Sequence, residues 1–554
     1  MLSIRDIQGD SLRSPYAGKQ VQTRGVVTGT VRRGCFIQTA SKEWDGIGSD
    51  AVYVYSPDKS FQVGTEIEIV GECVDYLKDD SAKPITQIHL ESARLMDSTP
   101  SVIRPIELTA EKLAQSNSDL AIYLNSLEGM LVSVPAGSTF VAPSNSFGDY
   151  VLALADQFSE ADIVTSPERG VIVEASNPLR WFPGFRVTQY QYAKRLNVGS
   201  VLKTDIVGPL NYRVGSYQIS VSNDFDFEPN FIELTKSSLK PSDGALTIMT
   251  LNCFNLDNHV ESENNVMNPR KDVDDDWGEG RFHTLAQAVV LQANVPDIVA
   301  LQEIQDNDGA EISDVTDASE TYEMLIRTIE QLSGVRYSWI DVAPELGADG
   351  GQPGGNIRNG YLYNPARVEL DSGSIRTLGS HKECYQASRK PLVCTFSEKS
   401  SGKRLAVINV HLASKRHQAS IFAAVDPGVD AKLSVRTEQA EVIQQETDAL
   451  DKLAVEYYVT GDFNDGEYSE PMKTLIGNES VNLVFELDED QRYDYNHRGK
   501  LQVLMHGIVP IDMRDSGRAE YEIIHGNELI GIQPGAETDK PSDHAYVIAK
   551  LQLK

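Results

Sequence analysis

A short polar segment directly after an apolar strand constrains the carboxyl-terminal half of this chain most. Residues 455–459 (VEYYV) are mainly β-branched and aromatic, and the next six residues read TGDFND. Side chains two positions apart in a strand point to the same side, so we expect Asp462 and Asn464 to face one small ligand. Their carboxylate and amide suit a hydrated metal ion and a phosphate oxygen. Taken alone, the segment is better explained as a turn.

Other predicted strands of the same half also end at polar side chains. Asn252, Glu303 and His411 each follow an apolar run, while Asp543 and His544 precede the last one. If these ends cluster, they form an acidic pocket with two imidazoles. Carboxylates favour Mg²⁺, Mn²⁺ or Ca²⁺ over zinc, and imidazoles exchange protons with water and a leaving oxygen. This set fits the hydrolysis of a phosphodiester by water.

The length of 554 residues exceeds what one hydrophobic core supports and indicates about three or four domains. Five short strands with glycine-containing turns in residues 1–105 predict a small β-barrel of the oligonucleotide/oligosaccharide-binding (OB) type. Residues 106–234 are predicted as a second β-rich domain, and a faint internal repeat favours a related barrel. A polar linker over 235–244 then precedes a domain over 245–554.

Helical and strand patterns alternate in this last domain. Apolar residues recur with helical spacing from Phe282 to Ala293, and Pro296 ends that helix. A second helix is predicted over about 434–453, directly before the strand 455–459. Helices outside β-strands indicate a layered α/β domain.

The charge balance limits the classes of partner. A net charge of −31 opposes non-specific binding to a polyanion, so a nucleic acid substrate requires a local basic patch or bridging cations. No apolar run approaches the roughly 18 residues of a membrane helix. The first residues contain no signal-peptide core, which fits either a cytoplasmic protein or a mature fragment with an added Met.

The five cysteines leave two alternatives open. Cys384 and Cys394 flank a predicted hairpin and are candidates for a disulfide in an oxidising compartment, as are Cys35 and Cys73. Five buried thiols are at least as well supported. No C-x-x-C pair occurs, which argues against a zinc ribbon.

The segment 245–554 resembles the endonuclease/exonuclease/phosphatase (DNase I-like) superfamily, and within it the large secreted bacterial nucleases. Six motifs carry this resemblance in the family order: TLNCFNL at 250–256, IVALQEI at 298–304, GYLYNPARV at 360–368, NVHLASK at 409–415, GDFND at 461–465 and SDH at 542–544. The resemblance implies an α+β protein whose carboxyl-terminal domain is a four-layered α/β sandwich, preceded by two OB-like barrels. It also implies an extracellular or periplasmic location, with the cytoplasm as the alternative.

The resemblance further implies a Mg²⁺ site, with Mn²⁺ or Ca²⁺ as substitutes. Glu303 corresponds to the main metal ligand, with Asn252 beside it holding metal or phosphate. Asp543 corresponds to the residue that completes the metal site, and Asp462 is a further candidate ligand.

Two histidines have separate implied roles in hydrolysis. His544 corresponds to the base that takes the proton of the attacking water. His411 corresponds to the residue that contacts the phosphate and stabilises or protonates the leaving oxygen. Asp462 and Asn464 correspond to residues that orient water and phosphate.

One position departs from the family pattern. Similar sequences carry an Asp-His or Asp-Tyr pair after the Tyr-x-Tyr segment, and the Asp helps to orient the catalytic imidazole. Met505 stands at that position here, before His506. Methionine cannot orient an imidazole, so we predict weakened hydrolysis with metal binding retained. Compensation by Asp494 or Asp512 is left open, and restoring Met505→Asp is expected to raise turnover.

The candidate substrate-binding residues are Asn252, Asn464, Arg358, Tyr361 and Lys415. Packing or surface pairing explains Arg358 and Tyr361 nearly as well. Lys415 begins a basic cluster over 415–417. This cluster fits either a surface that binds a nucleic acid strand or an exposed turn. Aromatic residues of the second domain, Tyr190 and Tyr192 among them, could stack bases, but a core or cross-strand role explains them better.

The function predicted is a metal-dependent nuclease that hydrolyses DNA, with RNA as a second substrate. One alternative is a phosphodiesterase acting on phospholipid or inositol phosphate, which would need an exposed apolar loop near the site. The other is a catalytically weakened domain that binds nucleic acid without cleaving it, for which Met505 is the main support.

Overall fold

The structure is a computed structural model that describes residues 1–40, 44–77, 83–96, 102–113, 117–158, 163–172, 182, 184–188, 194–213, 215–221, 223–415, 422, 430–533 and 540–554. The candidate base-stacking residues Tyr190 and Tyr192 lie outside these ranges. So do Arg416 and His417 of the predicted basic cluster. No helix within the described ranges is long and apolar enough to cross a membrane.

A closed barrel of five strands occupies the amino-terminal region, as predicted. A short helix α1 (Ile4–Gln8) precedes β1 (Gln20–Val31), β2 (Gly34–Gln38), β3 (Ala51–Tyr55), β4 (Glu66–Tyr76) and β5 (Ile85–Leu95). The strand order is β1-β2-β3-β5-β4, and β4 pairs with β1 to close the barrel. Alternate residues point inward, so Val21, Ile67 and Ile69 form part of its core.

The second β-rich unit forms one nine-stranded sheet in the order β14-β11-β8-β9-β10-β13-β12-β7-β6. The described residues do not show the second closed barrel that was expected here. The elements are β6 (Ile106–Glu107), α2 (Ala110–Leu113), α3 (Asn117–Ser126), β7 (Leu131–Val134), β8 (Thr139–Ala142), β9 (Asp149–Ala153), β10 (Phe185–Thr188), β11 (Val201–Leu202), β12 (Ile206–Arg213), β13 (Ser216–Ser220) and β14 (Phe227–Glu228).

The segment 235–244 is packed against the carboxyl-terminal half. Thr235 N donates to His525 O at 3.1 Å, and Ser237 N donates to Gln292 O at 2.8 Å. Leu239 is buried among the apolar residues of the α/β unit. The predicted linker is therefore held along its length by the unit that follows it.

Two six-stranded sheets form the body of the carboxyl-terminal unit. The first has the order β17-β18-β16-β15-β28-β27, and the second has the order β19-β20-β21-β22-β26-β23. The strands of the first sheet are β15 (Ala245–Leu256), β16 (Ile298–Ile304), β17 (Ser338–Asp341), β18 (Arg358–Tyr363), β27 (Ala519–Ile524) and β28 (Tyr546–Gln552). Those of the second are β19 (Val368–Thr377), β20 (Leu392–Glu398), β21 (Arg404–His411), β22 (Tyr457–Asp462), β23 (Ser480–Asn482) and β26 (Met505–Pro510).

Helices cover the outer faces of both sheets. The helices are α4 (Pro269–Asp272), α5 (Arg281–Gln287), α6 (Ser319–Ser333), α7 (Leu433–Lys452), α8 (Glu470–Ile476) and α9 (Ile511–Asp515). The chain continues from α5 into a π-helical segment at Ala288–Gln292. The helix predicted to Ala293 is therefore α-helical in its first part and π-helical in its second. Short 3-10 turns lie at Glu383–Tyr385, Leu483–Glu486, Glu489–Gln491 and Asn527–Leu529.

Hydrophobic clusters define four layers. The inner faces of the two sheets meet in one core, in which Ile248 packs with Val407 and Val547. The outer face of the first sheet buries Leu285 of α5 and Leu325 of α6, and that of the second buries Ile443 of α7. This helix–sheet–sheet–helix order agrees with the predicted four-layered α/β sandwich.

A small hairpin connects the last domain with the nine-stranded unit. It consists of β24 (Tyr495–His497) and β25 (Lys500–Gln502). Asn496 Nδ2 donates to Val141 O at 3.0 Å, and Leu501 N donates to Val171 O at 2.8 Å. The sequence predicts a single strand near 501–509, but the structure has two strands there, β25 and β26 (Met505–Pro510), because the chain turns between them.

All five cysteines are buried free thiols. The two candidate disulfides, Cys384 with Cys394 and Cys35 with Cys73, are therefore not formed in this structure.

Candidate active site

Strand direction brings the predicted polar residues to one edge of the sandwich. In the first sheet β15 and β16 are parallel, with Asn252 opposite Gln302. In the second sheet β21 and β22 are parallel, with His411 opposite Asp462. Carboxyl ends of parallel strands lie at the same edge, and β28 is antiparallel to β15, so its first residues begin there too. His544 lies just before β28 and therefore reaches the same edge.

Buried polar contacts hold the two sheets together beneath this edge. The hydroxyl oxygens of Thr250 and Thr460 are 2.5 Å apart across the sheets. Asn409 donates through Nδ2 to Leu301 O at 2.9 Å and accepts from Gln302 Nε2 at 2.7 Å. Because buried amides and hydroxyls are costly to leave unpaired, these contacts fix one alignment of the two sheets.

Two strands have an unusual backbone conformation at or just before the residue that they contribute to the site. Glu303 has φ +58°, a left-handed conformation that is rare outside glycine, at a register shift between Leu301 and Ile304. Gly461 has φ +137°, and a Cβ there would lie 2.0 Å from Val410 O. Only glycine allows β21 and β22 to approach this closely immediately before Asp462.

Side chains from five strands converge at this edge. Asn252 Nδ2 lies 3.4 Å from Glu303 Oε1 and 3.3 Å from Asp462 Oδ2. His411 Nε2 lies 3.6 Å from both of these carboxylate oxygens. His544 Nε2 lies 3.7 Å from Asp462 Oδ2. Two imidazoles and two carboxylates from both sheets therefore surround one small space.

His544 is held in place by Asp494 and Tyr495. Its Nδ1 lies 3.0 Å from Asp494 Oδ1, and Asp494 is fully buried. The ring of Tyr495 stacks on the imidazole with centroids 4.7 Å apart and an interplanar angle of 28°. A carboxylate at Nδ1 fixes the tautomer that leaves Nε2 facing Asp462.

Asp494 changes the interpretation of Met505. The Oδ2 atom of Asp494 accepts the backbone N–H groups of Leu504 and Met505 at 2.7 and 2.9 Å. The Met505 side chain is fully buried in the core between the sheets. The imidazole is thus oriented from Asp494 instead of position 505, which removes the reason to expect weakened hydrolysis. Asp512, the other candidate, pairs with Arg518 and Lys554 on the surface.

Burial and crowded carboxylates shift the proton affinities in the site. Burial, together with the charges of Asp543 and Asp462, raises the pKa of Glu303 to about 7. Burial also raises the pKa of Asp462 above its usual range. Each carboxylate thus resists ionisation until positive charge is supplied nearby.

The pKa values of the two histidines are shifted in opposite directions. Burial lowers the pKa of His411 well below its usual value, so this imidazole is neutral. Burial would also lower the pKa of His544, but the charge of Asp543 and the hydrogen bond with Asp494 outweigh it and raise the pKa to about 10. In the absence of added positive charge, His544 therefore carries the proton.

The residues at this edge fit a hard divalent cation. Glu303 and Asp543 offer carboxylate oxygens, which Mg²⁺ and Mn²⁺ prefer. The Oδ1 atom of Asn252 accepts the backbone N–H of Phe254 at 2.9 Å, and its Nδ2 faces the carboxylates. The Glu303 side chain is 18% exposed, so it is partly accessible from solvent. The charges of Asp543 and Asp462 act on Glu303, so the edge gathers negative charge that a divalent cation would balance.

Asn464 and Lys415 lie near the site but use their polar groups locally. Asn464 N donates to Asp462 Oδ1 at 2.8 Å, and its Nδ2 donates to Leu412 O at 3.1 Å. Lys415 Nζ lies 3.2 Å from Asp465 Oδ1. Asn464 thus orients Asp462, while the ammonium group of Lys415 places a positive charge in the loop after β21.

The structure does not bring Tyr361 and Arg358 to the cluster. Tyr361 is fully buried between the sheets, and its hydroxyl donates to backbone oxygens of Leu392 and Val407. Arg358 donates to Thr316 O at 2.6 Å and pairs with Asp341. Because both polar groups are committed to the fold, packing explains these residues.

Three residues of the site are absent from the predicted site residues, although Asp494 is considered as a possible compensation for Met505. Asp494 and Tyr495 come from a loop and hairpin, where no apolar run precedes them to mark a strand end. Arg389 is a buried cation whose charge acts on Glu303, Asp462 and His411. The only sequence signal for Arg389 is its position in an SRK triplet just before β20.

Comparison with known proteins gives one matching family model and no curated relative. The model, described as a domain of unknown function (DUF8508), matches residues 105–230, within the nine-stranded unit. No curated protein matches the chain.

Several solved structures are similar to 56% of the chain. A humanized D. rerio TDP2 is 15% identical, is covered over 99% of its length and has a TM-score of 0.36. An endonuclease/exonuclease/phosphatase from Bacteroides vulgatus is 14% identical, with 99% covered and a TM-score of 0.35. The human Nocturnin catalytic domain is 14% identical, with 96% covered and a TM-score of 0.35. Likeness at this level carries no conclusion about activity or substrate.

Proposed function

We propose that this protein is a divalent-cation-dependent phosphodiesterase that hydrolyses nucleic acid, with DNA as the first candidate and RNA as the second. One observation carries the proposal. The His544–Asp494 pair faces Asp462, in a space bordered by the carboxylate of Glu303 and the amide Nδ2 of Asn252. An oriented imidazole beside a cation-binding carboxylate is the arrangement that hydrolysis of a phosphodiester by water requires.

The cation would be Mg²⁺ or Mn²⁺, held by Glu303, Asn252 and Asp543. Bound there, it would supply positive charge that neutralises the phosphate and opposes protonation of His544. Asn252 lies directly beside Glu303, since its Nδ2 donates to Glu303 Oε1 at 3.4 Å. To bind the cation itself, Asn252 would use Oδ1, which accepts the backbone N–H of Phe254 in this structure.

His544 acts as the base in this proposal. Its Nε2 takes a proton from the attacking water, while Asp494 keeps the proton at Nδ1 and stabilises the imidazolium that results. Asp462, whose Oδ2 is 3.7 Å from Nε2, accepts a second hydrogen bond from the water or the imidazolium. Asn464 N holds Asp462 Oδ1 in position for this contact.

His411 contacts the phosphate as a neutral ring. Its Nε2 lies between Glu303 and Asp462, and its Nδ1 is buried without a hydrogen-bond partner among the described residues. A neutral imidazole donates one hydrogen bond to a phosphate oxygen or to the leaving oxygen. Arg389 adds a buried positive charge to the same region.

A local basic group supports nucleic acid as the substrate. Arg498 is exposed at the turn of the β24–β25 hairpin, close to Tyr495, and both Arg498 and Lys415 act electrostatically on His497 of the same hairpin. This group gives a polyanion a local site on a protein of net charge −31. Tyr495 is occupied by stacking on His544, so we assign it to positioning the base.

A substrate panel tests the proposal. The full chain is incubated with Mg²⁺ or Mn²⁺ and plasmid DNA, single-stranded DNA, RNA or phosphatidylinositol vesicles, with EDTA in parallel. We expect cleavage of DNA that EDTA abolishes, and no release of inositol phosphate from the lipid. Cleavage of the lipid alone would replace the proposal with the phospholipid alternative. Binding of DNA without cleavage at any cation concentration would favour a protein that only binds nucleic acid.

A further inference from the structure

A second group of carboxylates lies just beyond β15, apart from the residues assigned to hydrolysis. One carboxylate oxygen each from Asp257, Glu261 and Asp274 lies within 4.8 Å of the other two. Asp257 directly follows β15, while Glu261 and Asp274 belong to the long connection between β15 and α5. Acidic groups gather on many protein surfaces without a ligand, so burial and hydrogen bonding decide whether this one is a site.

Asp257 has a buried oxygen that lacks a partner. The residue is fully buried, and its Oδ1 accepts the backbone N–H of His259 at 2.9 Å. Its Oδ2 is buried with no hydrogen-bond partner among the described residues. A buried carboxylate oxygen without a hydrogen bond or a cation is strongly unfavourable, so this atom points to a ligand.

The unpartnered oxygen and a Glu261 oxygen face the same narrow space. A Cβ on Gly309 would lie 2.8 Å from Asp257 Oδ2 and 2.4 Å from Glu261 Oε1. Gly309 has φ +61°, and the absence of its side chain leaves the two oxygens clear. Any other residue at position 309 would occupy the space between them.

Glu261 joins three segments of the loop region. Its Oε1 accepts the backbone N–H of Ala310 at 3.0 Å, and its Oε2 accepts that of Asp274 at 3.2 Å. These bonds hold the carboxylate in one orientation, with Glu261 itself only 5% exposed. A solvated acidic loop would leave such a group in water instead.

The nearest buried cation is already used by another carboxylate. Arg281 pairs with Asp276 and donates to the backbone oxygens of Cys253 and Phe254 at 2.7 Å. No ion pair to Asp257, Glu261 or Asp274 occurs within the described ranges.

We propose that Asp257, Glu261 and Asp274 bind a Ca²⁺ ion that ties the β15–α5 connection to the loop after β16. The donors are all oxygens from separate loop positions, which suits the larger and less regular coordination of Ca²⁺. Mg²⁺ demands near-octahedral geometry and keeps most of its waters, so it fits a buried set of three carboxylates less well. This inference is independent of the proposed hydrolysis.

Calorimetric titration of the chelator-treated full chain with Ca²⁺ tests the site. The Glu303→Gln background is used so that the cation site assigned to hydrolysis contributes little. We expect one Ca²⁺ equivalent, which the double variant Asp257→Asn, Glu261→Gln loses. The matched control Glu263→Gln changes an exposed acid two residues from Glu261 and should bind Ca²⁺ as the background does.

Thermal unfolding gives a second readout. Ca²⁺ should raise the Tm of the background protein and leave that of the double variant unchanged. Without Ca²⁺ the double variant should be at least as stable as the background, because neutral amides remove the buried repulsion. If the double variant does not fold, Asp274→Asn at the half-buried rim should still weaken Ca²⁺ binding at least about tenfold.

Three outcomes would overturn the inference. They are unchanged Ca²⁺ stoichiometry and Tm shift in the double variant, unchanged affinity in Asp274→Asn, and saturable binding of Mg²⁺ in preference to Ca²⁺ at this site. DNA cleavage plays no part in these readouts, so their failure would leave the proposed function untouched.

Discussion

The Oδ1 atom of Asp494 lies 3.0 Å from Nδ1 of His544, although 50 positions separate the two residues in the chain. Through Oδ2 the same carboxylate accepts the backbone N–H groups of Leu504 and Met505. These two residues lie between the end of β25 and the start of β26. One buried side chain thus both shapes the chain at β26 and orients the proposed base.

Replacing Asp494 with Asn should impair turnover and shift its pH dependence. An amide can present an N–H to Nδ1 and favour the wrong tautomer, so we expect kcat to fall by about 10²- to 10⁴-fold. The neutral amide also removes one cause of the raised pKa of His544, so the acidic limb of the pH–rate profile should move to lower pH. Asp488→Asn, an exposed acid of the same segment, is the control. A kcat equal to that of the wild-type protein would contradict the assignment.

Replacing Met505 with Asp should destabilise the protein without raising turnover. The Met505 side chain is fully buried in the core between the sheets, so the new carboxylate would have no counter-ion. We expect a loss of about 3–5 kcal/mol in the free energy of unfolding, measured in urea. Met505→Leu keeps the volume and should lose less than about 1.5 kcal/mol. Faster cleavage by Met505→Asp would instead show that an Asp at position 505 orients the His544 imidazole better than Asp494 does.

Cation dependence should vary with pH through Glu303. A protonated carboxylate cannot bind a cation, and the pKa of Glu303 is raised to about 7. The Mg²⁺ concentration for half-maximal activity should therefore increase as the pH falls below 7. Higher Mg²⁺ should also move the acidic limb of the profile to lower pH, because positive charge opposes protonation of His544. A half-maximal Mg²⁺ concentration that stays constant as the pH falls through this range would contradict the assignment of Glu303 as a ligand.

Replacing Asn409 with Ala should affect both stability and activity from beneath the site. The amide of Asn409 contacts Gln302 Nε2 and two backbone oxygens across the sheets, and truncation leaves these groups unpaired. We expect a loss of about 2–4 kcal/mol in the free energy of unfolding and a lower kcat. Ser397→Ala on the neighbouring strand β20 is the control. Unchanged stability would show that the two sheets align without this contact.

The sequence was most informative where a residue follows a regular strand. Apolar runs located β16, β21 and β22, and parallel pairing then brings Glu303, His411 and Asp462 to one edge. The five strands of the barrel were found in the same way. These features depend on local patterns, which a single sequence displays.

The features that the sequence did not predict depend on contacts between distant segments. Asp494 reaches His544 only because the chain turns between β25 and β26, and the side-chain pattern of a strand over 501–509 hides that turn. The Tyr361 side chain points into the core, although the residue belongs to one of the family motifs. Its place in the motif does not show whether the side chain packs in the core or binds substrate. The nine-stranded sheet joins short strands whose order is set by tertiary packing.

Single-turnover cleavage of a DNA duplex at saturating Mg²⁺ tests the central claim most directly. The comparison is between wild-type protein, His544→Ala and His283→Ala, where His283 is an exposed histidine on α5. We predict that His544→Ala cleaves about 10²- to 10⁴-fold more slowly, while His283→Ala cleaves at the wild-type rate. Cleavage by His544→Ala at the wild-type rate would contradict the claim that the strand ends form one site with this imidazole as its base.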